Sequence, residues 1–119
     1  MIKSIAFTMY PATSLPRARD FYERLLGLHP SREFGGAWIE YDLENGTFAL
    51  TTMAEGRSPD ADAGGAVAFE GDDVDGPVAR LREQAVRVKL APFSTPVCRM
   101  AVVLDSEGNA VTLHQAKLA

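Results

Sequence analysis

An alternating strand followed by an amphipathic helix occurs twice in this chain, the second copy about 60 positions after the first. That duplication limits the fold more than any single residue does. Residues 3–10 (KSIAFTMY) alternate, with Ile5, Phe7 and Met9 on one side and Ala6, Thr8 and Tyr10 on the other. A period of two marks a strand with one face in a core. The turn Pro11-Ala12-Thr13 follows, and Ser14 is placed to cap a helix from about 15 to 26. Leu15, Ala18, Phe21, Tyr22, Leu25 and Leu26 recur in it at helical spacing, and Gly27 stands where a C-terminal cap belongs. Short strands are expected near 29–34, at 37–42 and at 47–53, the last two joined by a turn at Glu44-Asn45-Gly46.

After a polar, Pro- and Gly-bearing stretch the pattern restarts. Residues 66–70 (AVAFE) alternate. A helix is expected over about 73–85, with Val74, Val78, Leu81 and Ala85 on its buried stripe and Asp72 or Asp73 as its cap. Strands follow near 86–91, 98–104 and 110–115. The expected fold is therefore α+β, with two βαβββ modules in a single domain: module 1 over about 1–54, a linker over about 55–65, and module 2 over about 66–119. One helix and four strands are too little for either half alone.

The remaining composition excludes more than it proposes. At 119 residues with a net charge of −4, the chain lacks the basic stripe that phosphate binding needs, so nucleic acid is not an expected partner. No apolar run is long enough to span a bilayer, and the first residues do not read as a signal peptide, so a cytoplasmic protein without a membrane partner is expected. The single cysteine, Cys98, fits a reducing compartment and reads as a packed thiol. The run Asp72-Asp73-Asp75 lacks the spacing of a calcium loop and reads as helix capping.

Three segments carry a resemblance. SLPRARDFYERLLGL is similar to the first helix of the vicinal oxygen chelate superfamily (glyoxalase, bleomycin resistance protein, dioxygenase), with its Ser-Leu start, Phe-Tyr and Leu-Gly. VAFEGDDVDGPVARLRE resembles that family's second-half strand and helix, and DSEGNAVTLHQ its closing hairpin. The resemblance implies two incomplete barrels curved around a cleft, commonly in homodimers. It also implies one divalent metal bound by His, Gln or Glu from the first and fourth strands of each module. Such a metal polarises adjacent substrate oxygens or activates dioxygen.

Carried onto this chain, those four places hold Ala6, Ala49, Ala66 and Thr112. A register error of one would substitute Ile5 or Phe7, Phe48 or Leu50, Gly65 or Val67, and Val111 or Leu113, none of them a metal ligand. No metal and no cofactor are therefore expected. With Ile5, Phe7 and Met9 taken as facing the helix, the inner side is expected to present Thr8, Tyr10, Thr51, Met53, Glu70, Thr112 and His114 to a small-molecule ligand. Trp38 and Tyr41 lie in opposite phases, so at most one of them faces that side. His114 is the candidate catalytic residue, a general acid or base with Glu70 as its orienting partner. His29, before Pro30, reads as solvated.

The function expected is a metal-independent small-molecule binding protein acting as a homodimer. The competing readings are a metal-dependent lyase, isomerase or dioxygenase, a metal-free acid/base enzyme built on His114, and a regulatory or scaffolding role.

Overall fold

In a four-stranded sheet with one helix, one face packs under that helix and the other has no cover from its own module. The computed structural model, which describes residues 1, 3–54 and 56–117, has this arrangement twice. Glu55, at the start of the expected linker, and Leu118 and Ala119, at the end of module 2, lie outside the described residues. The chain divides into two compact units, Met1–Pro59 and Asp60–Ala119.

In the first unit β1 (Thr8–Pro11), α1 (Leu15–Arg19), β2 (Arg32–Phe34), β3 (Trp38–Leu43) and β4 (Gly46–Thr51) form a mixed sheet in the order β1-β4-β3-β2. β1 runs parallel to β4, with Thr8 opposite Phe48 and Tyr10 opposite Leu50. β3 pairs antiparallel with β4, placing Ile39 opposite Leu50 and Tyr41 opposite Phe48. These residues share one face, and it is the helix side: Phe48 lies 4.9 Å, ring centre to ring centre, from Tyr22 of the helical segment. Tyr10, Tyr41, Phe48, Ile39 and Leu50 are all buried there.

Ser14 caps α1, its Oγ accepting from the Arg17 N–H at 3.3 Å. The expected α-helix does not run unbroken to Leu26. It widens into a π-helix over Asp20–Leu25, where the Leu26 N–H reaches back five residues to the Phe21 carbonyl. Wider turns bring consecutive residues closer in angle, and the adjacent Phe21 and Tyr22 are both buried. Gly27, at φ +78°, ends the helix as expected.

The second unit repeats the plan with β5 (Val67–Glu70), α2 (Asp75–Glu83), β6 (Val88–Ser94), β7 (Cys98–Leu104) and β8 (Ala110–Ala116), in the order β5-β8-β7-β6. Val111 and Leu113 of β8 and Ala101 and Val103 of β7 are buried, as are Val78 and Leu81 of α2. The expected side-chain cap by Asp72 or Asp73 is absent: Val74 occupies the cap position, without a side-chain hydrogen bond. Asp73 instead stands so close over the first turn that a Cβ at Gly76 would lie 2.4 Å from its Oδ2. Asp75 makes a two-pronged ion pair with Arg99 of β7, both contacts 2.7 Å, which ties the helix start to the sheet.

The motif DSEGN is the turn between β7 and β8. The buried Asp105 accepts from the N–H groups of Glu107 (2.8 Å) and Asn109 (2.9 Å), and the Asn109 side chain donates to it at 3.1 Å. Asn109 Oδ1 accepts from the Asp60 N–H, so the end of the polar stretch between the modules is fastened to the second unit. Lys89 holds the same stretch through the Ala61 carbonyl (2.8 Å) and Asp62 (2.6 Å).

Ala85 was expected on the buried stripe of α2. It is exposed and lies beyond the helix at φ +62°, the one non-glycine at positive φ among the described residues. The Val86 N–H bonds to the Leu81 carbonyl and the Ala85 N–H to the Arg82 carbonyl, the pairing that ends a helix in a left-handed residue. A methyl group at this φ is strained. Ala85→Gly is therefore expected to stabilise the protein by about 0.5–1 kcal/mol, read as a higher urea midpoint at unchanged m-value. A lower midpoint would mean that the left-handed turn is not a constraint on stability.

Candidate functional site

The strand registers fix what each helix-free face carries. In the first sheet, Met9 is paired with Ala49, and Trp38, Glu40 and Asp42 of β3 oppose Thr51, Ala49 and Thr47 of β4. All of these share the face away from the helix. Phe7, just before β1, joins them: its ring meets Trp38 edge-on with centres 5.2 Å apart. The Trp38 indole N–H donates to Glu40 at 2.9 Å, and Glu40 and Asp42 are both held by Arg32, at 2.7 and 2.6 Å. Trp38 is thus fixed at two points and half-buried. Tyr41 lies in the core, its hydroxyl donating to Glu23 at 2.8 Å; burial and that acceptor together push the phenol well above its ordinary pKa.

Several expected positions in this unit need correction. Thr8 and Tyr10 belong to the helix side. Tyr10 is buried with its ring 5.3 Å from Phe48, while Ile5 and Phe7, expected to face the helix, are exposed. The strand repeat is offset by 59 positions, since Thr8 opposite Phe48 corresponds to Val67 opposite Val111. An offset of 60 inverts the phase of β1, and in a strand such a slip moves every side chain to the other face. Thr51 keeps its expected phase but is 1% exposed. Its hydroxyl donates to the Ala37 carbonyl and accepts from the Met53 N–H, both at 2.9 Å. Met53 lies beyond the end of β4 and is exposed.

In the second sheet Ala68 opposes Thr112 and Glu70 opposes His114, on the face opposite the buried Val111 and Leu113. Met100 and Val102 of β7 pair with His114 and Thr112 and extend that face as an apolar floor. Leu90 and Phe93 of β6, both partly exposed, flank it. Glu70 and His114 meet directly, Oε1 to Nδ1 at 2.5 Å, and the other carboxylate oxygen accepts from the Ala116 N–H at 2.8 Å. The backbone N–H of Ala116, and after it the imidazole, hold the Glu70 carboxyl below the usual carboxylate range. An ionised carboxylate only accepts, so His114 carries its proton on Nδ1 when neutral and leaves Nε2 as the basic nitrogen. Arg99, by contrast, faces away and is engaged by Asp75.

The metal-ligand places that the resemblance implies follow the observed strand phases. On the first sheet they are Phe7, not Ala6, and Ala49; on the second they are Ala66, by continuation of the β5 alternation, and Thr112. The set offers a single hydroxyl oxygen, whereas a divalent cation takes several nitrogen, sulfur or carboxylate donors. Among the described residues no group of three His, Cys, Asp or Glu side chains is placed to hold a metal ion. The donor set does not fit the family's metal. His29 is exposed, Cys98 is buried against Thr95, and no helix among the described residues is long and apolar enough to cross a membrane.

Comparison with known proteins agrees with this geometry. The family model for the glyoxalase/bleomycin resistance protein/dioxygenase superfamily matches residues 4–113. Among solved structures, an antibiotic-binding protein from Streptomyces sp. CB03234 is 25% identical, with a TM-score of 0.79 over 98% of each chain. A glyoxalase/bleomycin resistance protein from the same organism is 27% identical, with a TM-score of 0.75 over 94% of this chain and 100% of that one. A lactoylglutathione lyase from Agrobacterium tumefaciens, 21% identical, shares the fold with a TM-score of 0.74 over 96% of this chain and 94% of that one. No curated protein sequence matches the chain significantly. A family match across nearly the whole length, with the duplicated βαβββ units observed, means that the chain belongs to the glyoxalase/bleomycin resistance protein/dioxygenase superfamily.

Proposed function

We propose that this chain is a metal-independent small-molecule binding protein of the glyoxalase/bleomycin resistance type, sequestering its ligand as a homodimer in the cytoplasm. The observation that carries the reading is the replacement of metal-donor positions by Phe7, Ala49, Ala66 and Thr112 on sheet faces that otherwise keep binding features. On the first sheet, Trp38 is a rigid aromatic wall held by Phe7 and Glu40. On the second, Met100 and Val102 supply an apolar floor, with Thr112, Glu70 and His114 as polar anchors. Apolar surface with a few fixed polar groups is the usual make-up of a binding site. The antibiotic-binding protein among the similar structures supports the same reading. Leu90, Phe93 and Val97 remain exposed in this single copy, as suits a chain that meets a second one.

Trp38 is the only tryptophan, so its fluorescence reports on its own surroundings. A panel of planar aromatic compounds is expected to contain binders that quench it and raise the melting temperature; a ligand at 100 times its Kd adds about 2.7 kcal/mol. Trp38→Ala is expected to weaken such binding about fivefold, the loss of one aromatic contact of about 1 kcal/mol. Zn²⁺, Ni²⁺, Mn²⁺ and Fe²⁺ are expected to leave the melting temperature unchanged. Saturable stabilisation by one of these ions, or stoichiometric metal in the purified protein, would overturn the proposal.

The contact between Glu70 and His114 favours a second reading, a metal-free acid/base enzyme in which Glu70 orients His114 and Nε2 takes the proton. A His114→Ala variant that loses turnover while keeping ligand affinity would establish it; an unchanged rate would exclude it. The pair also predicts a pH dependence. Because the folded-state pKa of Glu70 is lowered, its contribution to stability is present above the ordinary carboxylate range and lost as pH falls through the depressed value. Glu70→Gln is therefore expected to be less stable than the parent at neutral pH and to converge with it in acid. Equal urea midpoints at neutral pH would contradict the coupling.

A further inference from the structure

In the first unit a recess of about 360 Å³ opens between α1 with its π-helical continuation and the β2–β3 hairpin, and Trp38 at the edge of the face just described lines it too. Leu15, Arg19 and Glu23 line it from the helical segment, four residues apart and so on one stripe. Glu33 and Ile39 line it from the sheet, and Gly36 at the hairpin tip contributes no side chain. Its size lies at the lower end of small-molecule sites.

Charge inside the recess is unbalanced. Arg19 meets Glu23 at 2.6 Å and Glu33 at 2.6 Å, so one guanidinium serves two carboxylates. Burial pushes the Glu23 carboxyl up, but the donors Arg19 and Tyr41 outweigh it and hold the carboxyl below its ordinary range. Tyr41 stays protonated, so the lining carries one net negative charge. The Arg19 guanidinium is already engaged by both glutamates, which leaves it poorly placed to receive an anion. Glu33, half-exposed at the rim, contacts Arg19 through Oε1. Leu15 and Ile39 are buried in the wall, and the apolar lining that stays accessible is the exposed Pro16 and the half-buried Trp38.

We infer that this recess is a second binding site, for a small organic cation in which an ammonium group is joined to an apolar body. The ammonium takes its place beside Glu33, supplying the positive charge that Arg19 alone does not, and the apolar part lies against Pro16 and Trp38. A neutral molecule of the same shape leaves the net charge unanswered, and an anion adds to it.

The test is an NMR titration of the ¹⁵N-labelled full chain with 2-phenylethylammonium, 2-phenylethanol and 3-phenylpropionate. Saturable shifts are expected at the amides of Gly36 and Ile39 with the ammonium compound, at least about fivefold weaker with the alcohol and absent with the carboxylate, in line with a partly exposed ion pair. Glu33→Gln is expected to lose about the same fivefold while keeping a folded spectrum, because Glu33 sits half-exposed on an edge strand. Glu83→Gln, which removes one charge from the second unit, is expected to change nothing. The inference is overturned by equal binding of the alcohol, by Glu33→Gln binding like the parent, or by an equal loss in Glu83→Gln. It is also overturned if the shifts appear at Met9 and Ala49 on the opposite face.

Discussion

Each sheet has a single helix to cover it, and one helix can cover one face. That shortage organises the molecule. The covered face of each sheet takes the large apolar side chains, such as Tyr22, Tyr41 and Phe48 in one unit and Val78, Val103 and Val111 in the other. The second face is left with residues that are apolar enough to bind something and too few or too small to make a core of their own: Phe7, Met9, Trp38 and Ala49 on one sheet, Ala68, Met100, Val102 and Thr112 on the other. Folding within a unit leaves those side chains outside the core beneath the helix.

Charged residues follow the same division. On the helix side they are structural fasteners: Asp75 joins Arg99, and Arg19 joins Glu23 and Glu33. On the helix-free faces they act as orienting groups, Glu40 fixing the Trp38 indole and Glu70 fixing the His114 ring. No buried side-chain nitrogen or oxygen among the described residues lacks a hydrogen-bond partner. Asp105 and Asn109 show why: both are buried, Asp105 accepts from the turn that it closes, and the Asn109 side chain donates to Asp105 and accepts from the Asp60 N–H.

The strand and helix order was legible because turn chemistry and periodicity agree along most of the chain. Ser14 and Gly27 bracket the first helical segment, and Asp105 through Asn109 form the turn between β7 and β8. The phase of β1 was not legible. Ile5, Phe7 and Met9 are all apolar, and alternation identifies two faces without saying which lies under the helix. In β5 the polar Glu70 settles the matter, and there Glu70, Thr112 and His114 fall together on the helix-free side as their spacing indicates. In β1 the decisive side chain is Tyr10, whose amphipathic ring is equally at home on either face. Its partner Phe48 identifies the core, and that pairing depends on register between strands far apart in sequence. The recess beside Arg19 was out of reach for a similar reason: Glu33 and Glu23 converge on one guanidinium only after β2 has folded back along the helix.

Correcting the phase of β1 sharpens the chemistry of the site. With Ala6 on the helix-free face, that place would have held only a methyl group. With Phe7 there, the same place holds a large ring packed edge-on against Trp38. Alanine at that place would leave room for a larger side chain. Phenylalanine packed edge-on against a tryptophan helps to fix that tryptophan, and a phenyl ring offers a cation no donor atom. Replacing Phe7 by a metal donor would take away one of the two supports of Trp38. On this face, binding an aromatic ligand and binding a metal are competing uses of one position.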